Sequence, residues 1–284
     1  GRLESTGVAP VTGRPAPLAI NPDRSRLYVG RRDIKEISTF EVDQNSGDLS
    51  MVGTVPLESD PCYISTDKTG KYLLSAYYSA GRAAVHSIDD SGTAVAPPVE
   101  WRATGTGAHC MQTDPSNRFA FVPHIAGGNG PNLIFQFRFD EASGHITPNN
   151  PPTVAQEPEA GPRHYCFHPT KDILYFSNEQ ASSVTAYNLD SGNGTLSAFQ
   201  TLSTLPDDYE GRNSCAQIHM SSTGDFLFAP NRGHNSMACF AVDSLTGRLE
   251  RTAIVLTEAV PRAFSLDPSG TFLYAAGLES GRLA

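Results

Sequence analysis

At 284 residues the chain is long enough for one large all-β domain or two ordinary ones. Its 39% hydrophobic and 18% charged content, with 25 glycines and 21 prolines, describes a turn-rich globular protein without long charged tracts. A net charge of −9 argues against a nucleic-acid partner, and no run approaches the roughly 20 apolar residues of a membrane helix, so neither partner is expected.

Six segments follow in chain order with one pattern: LAINPDRSRLYVG (18–30), CYISTDKTGKYLLSA (62–76), CMQTDPSNRFAFVP (110–123), YCFHPTKDILYFSN (165–178), AQIHMSSTGDFLFAP (216–230) and AFSLDPSGTFLYAA (263–276). Each is an apolar run, a polar turn with Pro, Ser, Asp or Gly, and a second apolar run, which predicts two strands joined by a tight turn. Equivalent turn positions, from Pro22 through Asp67, Pro115, Pro169 and Ser222 to Pro268, recur every 45 to 54 residues. Between them, segments such as ISTFEVDQNSGDLSMVG (37–53) and VTAYNLDSGNGTLSAFQ (184–200) predict two further strands. Four antiparallel strands per unit, here a to d, with no amphipathic helix, predict a β-propeller.

At the N-terminus GRLESTGVAPVTGRPAP (1–17) matches the d strand and exit loop of 247–263. The last unit stops after its b strand, at the start of c. The expectation is a single domain over 1–284 with five complete units and a broken one at each end, a fragment of a longer closed ring; six imperfect blades are the alternative.

The strand order puts the a–b and c–d turns on one face and the d–a and b–c connections on the other. The first face carries ordinary turn chemistry. His168 falls there, aligned with Asp114 and Asp267, and reads as structural; His219, inside strand a, reads as a satisfied wall residue. The second face gathers His109, Arg163, His164, Glu179, Arg212, Arg232, Arg262, Arg31 and Tyr77 from different units. Convergent arginines with histidines and a carboxylate suit an anionic substrate that needs proton transfer. Glu179, following the strand-ending Asn178, is the leading general base on this geometry. The histidines lack metal-ligand spacing, so no metal is expected. Five cysteines without a CxxC pair predict buried thiols and a reducing, cytoplasmic compartment.

The stretches GAHC, GPRHYCFHP, SNEQASSVTAY and IHMSSTGDFLFAPNR, with Glu179 sixteen residues after Arg163, resemble the propeller-type 6-phosphogluconolactonase family, which is related to fungal 3-carboxy-cis,cis-muconate lactonizing enzyme. The resemblance implies a seven-bladed propeller and hydrolysis of 6-phospho-D-glucono-1,5-lactone, in the pentose phosphate pathway and without a cofactor. It implies mouth roles for His109, Arg163, Glu179 and Arg232, with His164 beside them. Glu179, His109 or His164 would deprotonate the water, Arg163 or Arg232 would face the oxyanion, and Arg262 or Arg31 would hold the phosphate. Tyr77 and Asn178 complete the expected substrate contacts. A carboxylated muconolactone as substrate and a non-enzymatic binding platform are the rival readings, and the sequence leaves the oligomeric state open.

Overall fold

The computed structural model describes residues 3–284, and among these residues every regular element is a strand. The first sheet is β1 (Pro15–Ile20), β2 (Arg26–Arg31), β3 (Glu36–Val42) and β4 (Leu49–Pro56), paired in sequence order. The second is β5 (Tyr63–Thr66), β6 (Tyr72–Tyr77), β7 (Arg82–Ser87) and β8 (Glu100–Ala103). The third is β9 (Gln112–Thr113), β10 (Phe119–Pro123), β11 (Leu133–Phe139) and β12 (Ile146–Ala155). The fourth is β13 (Pro162–Phe167), β14 (Ile173–Asn178), β15 (Ser183–Asp190) and β16 (Thr195–Ser203). The fifth is β17 (His219–Met220), β18 (Phe226–Asn231), β19 (Ser236–Val242) and β20 (Leu249–Leu256). The sixth holds β21 (Pro261–Leu266) and β22 (Leu273–Gly277), and Leu283 bridges back to Ala276 as a third strand begins.

Five four-stranded antiparallel sheets and a partial one are thus present, as the repeat predicts. The N-terminal d strand is not: Gly1 and Arg2 lie outside the described residues, and residues 3–13 form no strand. A d strand exists only through pairing with a c strand, and the sequence likeness alone supplies no such partner.

The described residues divide into two compact units, 3–122 with 137–147, and 123–136 with 148–284. In the first unit, Tyr28, Ile37, Val55, Ile64, Leu73 and Ala94 form a core between facing sheets. In the second, Ile173, Tyr175, Val184, Ile218, Leu227, Phe240 and Leu249 do the same. One device recurs at these packed faces. A b-strand tyrosine donates to a carbonyl in the c–d turn of the next sheet: Tyr28 to Gly92 at 2.8 Å, Tyr72 to Ala142 at 3.0 Å and Tyr175 to Gly247 at 2.7 Å. Burial pushes the Tyr28 phenol up to about 12, so it remains a donor.

The a–b turns share a second device. Asp67, Asp114 and Asp267 each accept the backbone N–H five residues on, at 2.7–2.9 Å, and a second N–H two residues on. His168 Nδ1 accepts the Thr170 N–H at 3.1 Å in the equivalent turn, consistent with a structural role.

His219 packs edge-on to Phe264 with ring centroids 4.7 Å apart, and burial pushes its pKa down to about 4. The folded chain therefore holds it neutral, while in the unfolded chain it titrates near 6.5. The unfolded state binds more protons between these values, so stability is full above about pH 6.5 and falls as pH drops toward 4. His219→Phe should flatten that acid limb, which urea melts at a series of pH values will show.

Candidate active site

The site is built from the connections that follow strand b and precede strand a. Four b–c loops have identical registers: Arg31 pairs with Glu36, Tyr77 with Arg82, Asn178 with Ser183, and Asn231 with Ser236. Each loop closes on a residue of positive φ, namely Lys35, Gly81, Ser182 and Asn235. The first loop residue is therefore equivalent in all four, and it is Arg32, Tyr78, Glu179 and Arg232.

In the second unit Glu179 is the centre of a cluster. Its Oε2 accepts from Arg163 Nε at 2.7 Å and lies 3.1 Å from Arg232 Nη2. Arg163 is 2% exposed, whereas the side chains of Glu179 and Arg232 are 16% and 18% exposed. Arg163 reaches Glu179 because it is a bulge: Pro162 pairs with Asn178 and His164 with Ser177, so Arg163 is the extra residue in its strand. A bulge re-aims one side chain out of strand alternation. Arg262 occupies the same bulge between Pro261 and Ala263 of β21.

Arg232 is steered from the other side. Its Nη2 donates to the Cys215 carbonyl at 2.7 Å and its N–H to the Ser214 carbonyl at 3.0 Å. Cys215 is itself buried and its thiol is pushed up to about 11 by desolvation, so it offers no thiolate nucleophile at neutral pH. Asn178, buried directly before Glu179, donates from Nδ2 to Ser183 Oγ at 2.9 Å and Thr185 Oγ1 at 2.8 Å. It ties strands b and c together beneath the carboxylate. His164 is buried one residue after Arg163. The structure thus brings Arg163, Glu179 and Arg232 into contact, with His164 and Asn178 adjacent in the chain. The three charged groups sum to one positive charge, which favours an anionic ligand. Among the described residues, Glu179 Oε1 has no hydrogen-bond partner.

In the first unit His109 is buried, with Tyr78 edge-on at 5.8 Å between ring centroids. Arg32 pairs with Asp60 at 2.6 Å. Tyr78 and Arg32 are the first residues of their loops, one place beyond Tyr77 and Arg31, which the sequence singles out. Tyr77 is fully buried, its hydroxyl accepting from Ser75 at 3.1 Å and its ring against Trp101 at 4.6 Å, which leaves no surface for a ligand. Arg31 is spent on Glu36 at 3.0 Å and on the Thr12 carbonyl and hydroxyl at 2.8 Å. Counting back from the positive-φ residue of each loop locates its first residue. Tyr77→Phe should leave ligand affinity and turnover within about twofold of the parent, because the hydroxyl serves only Ser75; steady-state kinetics check this. Among the described residues no group of three or more His, Cys, Asp or Glu could hold a metal.

A model of the lactonase family, described as a 7-bladed beta-propeller, matches residues 1–284. The chain belongs to this lactonase family. Its four-stranded sheets are accordingly propeller blades, five of them complete. The chain is 33% identical over 283 residues to the 6-phosphogluconolactonase of Serratia proteamaculans, covering 100% of this chain and 83% of that protein. It is 33% identical over 288 residues to the enzyme of the same name from Cronobacter sakazakii, with 100% and 83% covered. Among solved structures, the periplasmic gluconolactonase of Pseudomonas aeruginosa superposes with a TM-score of 0.85 at 26% identity, covering 94% of this lactonase-family chain and 79% of that one.

Proposed function

We propose that this chain is a 6-phosphogluconolactonase, opening 6-phospho-D-glucono-1,5-lactone with water to give 6-phosphogluconate. The observation that carries the reading is the Glu179 carboxylate held by Arg163 and Arg232, in a chain matched along its whole length by relatives of that name. Water adds to the lactone carbonyl carbon while Glu179 Oε1 takes its proton. Arg232, the more accessible guanidinium, donates to the developing oxyanion, worth about 3 kcal/mol for a well-placed donor. The ring C–O bond then breaks, and the departing oxygen is protonated by His164, next to Arg163 in the chain, to become the C5 hydroxyl. Arg163 is the buried counter-ion that keeps the carboxylate in place, and Asn178 acts beneath it through Ser183 and Thr185. Arg262, raised on its own bulge, is assigned the phosphate; Arg31 and Tyr77 have no part.

The reading extends to the whole chain as one propeller domain, since the family match spans residues 1–284. Among the described residues no helix is long and apolar enough to cross a membrane. All five cysteines are free, which suits a reducing cytoplasm. The likeness to a gluconolactonase supports a second reading, hydrolysis of the unphosphorylated lactone. A coupled assay on 6-phosphogluconolactone, D-glucono-1,5-lactone and a carboxylated muconolactone separates these. Preference for the phosphorylated substrate in kcat/KM upholds the proposal, and equal or greater turnover of either other lactone overturns it.

A further inference from the structure

Gly161 stands two residues before Arg163, and every side of it is occupied. Its N–H donates to Asn132 Oδ1 at 2.8 Å, and its carbonyl accepts the Glu179 N–H at 2.6 Å. With φ at +67°, a Cβ there would lie 1.7 Å from Gln180 Oε1. The Gln180 side chain thus lies over a position only glycine can fill. Its Oε1 accepts the Ala126 N–H at 3.1 Å, and its Nε2 lies 2.9 Å from where a Cβ on Gly127 would be. Two glycines clear the space for one amide.

Ala126 and Asn132 belong to HIAGGNGPN, the b–c loop over residues 124–132. Gln180 fastens one end of it. Asn132 fastens the other, to Gly161 and, through Nδ2, to the Glu157 carbonyl at 2.9 Å. Between the fastenings Gly130 donates to Gly127 at 3.2 Å across a turn whose tip, Gly128 and Asn129, is exposed. The loop is much longer than the four-residue b–c loops and is rich in glycine, so it has the most entropy to lose on ordering. Both fastenings end on residues next to the chemistry, Gln180 beside Glu179 and Gly161 two before Arg163.

We propose that Gln180 is a positioning residue that holds loop 124–132 as one wall of the substrate site, setting affinity for the lactone without touching the reacting atoms. The inference rests on the lactonase reading. A wall that is held open lowers binding of substrate and transition state alike, which raises KM and spares kcat.

Two variants test it. Gln180→Met keeps the length but cannot accept from Ala126. Gly127→Ala pushes only the flexible end of Gln180, at little cost to folding. In both, amide exchange at Ala126 should quicken by about tenfold as local opening becomes easier. KM for 6-phosphogluconolactone should rise by about fivefold with kcat within about twofold and the melting temperature unchanged. An unaltered Ala126 exchange rate removes the fastening. Faster exchange with an unchanged KM removes the wall, and a fall in kcat with a lowered melting temperature reduces Gln180 to a packing residue. A parent chain that turns over no lactone fails the lactonase reading instead, and with it the role in affinity; the exchange result, read without substrate, still decides the fastening by itself.

Discussion

Glu179→Gln is expected to lower lactonase turnover by about a hundredfold or more and to cost about 3 kcal/mol of stability. The change keeps the shape of the side chain and removes its charge. The proton acceptor for water goes, since an amide oxygen is a very weak base. The stability loss has a separate origin. Arg163 is 2% exposed and pairs with Glu179 Oε2 at 2.7 Å. Breaking a buried pair from one side costs about 3–5 kcal/mol, because the remaining charge is stranded out of water. The lower end applies here, since Glu179 is 16% exposed and Arg232 can turn toward solvent. A coupled assay and urea unfolding measure the two effects independently. Full activity removes Glu179 as the base, and unchanged stability shows that the Arg163 charge is held by its other surroundings.

The blades were legible because antiparallel strands alternate with period two and their turns need Pro, Asp and Gly at fixed places. The turn acceptors Asp67, Asp114 and Asp267 follow from that pattern, and so does the place of His168 among them. Strand length was less legible. β9 and β17 are two residues each, though they occupy the same place in the repeat as β5 and β13. The preceding residues Ala108–Met111 and Cys215–Ala216 are buried in the connection instead, with Cys215 making only an isolated bridge to Asn231, so apolarity there marks burial more than ladder pairing.

At the site, the face was readable from topology, and Arg163, Glu179 and Arg232 meet as neighbours on it. What the sequence does not show is which residue of each pair faces inward. Successive residues of a strand point to opposite sides, so Tyr77 enters the core while Tyr78 meets His109. The bulge that turns Arg163 toward Glu179 is invisible in the same way. GPRH and VPRA carry it, yet nothing in their composition announces an extra residue.

The bulge makes Arg163 and Glu179 a unit, and a unit shows itself by non-additivity. Arg163→Met should lower turnover by roughly tenfold to a hundredfold, since the carboxylate loses the anchor that aims it. It should cost less stability than Glu179→Gln, because Glu179 keeps Arg232 at 3.1 Å and the buried charge is the one removed. Combining the two substitutions replaces both partners by neutral groups of similar length, which strands no charge. The double variant should then be more stable than the sum of the single losses requires, by about 2 kcal/mol of coupling. Its turnover should match that of Glu179→Gln alone, because an anchor has nothing to aim once the base is gone. Additive stability losses would mean that Arg163 is held by its other surroundings and not by Glu179. A further drop in turnover would mean that Arg163 itself faces the oxyanion, moving that role from the exposed arginine to the buried one.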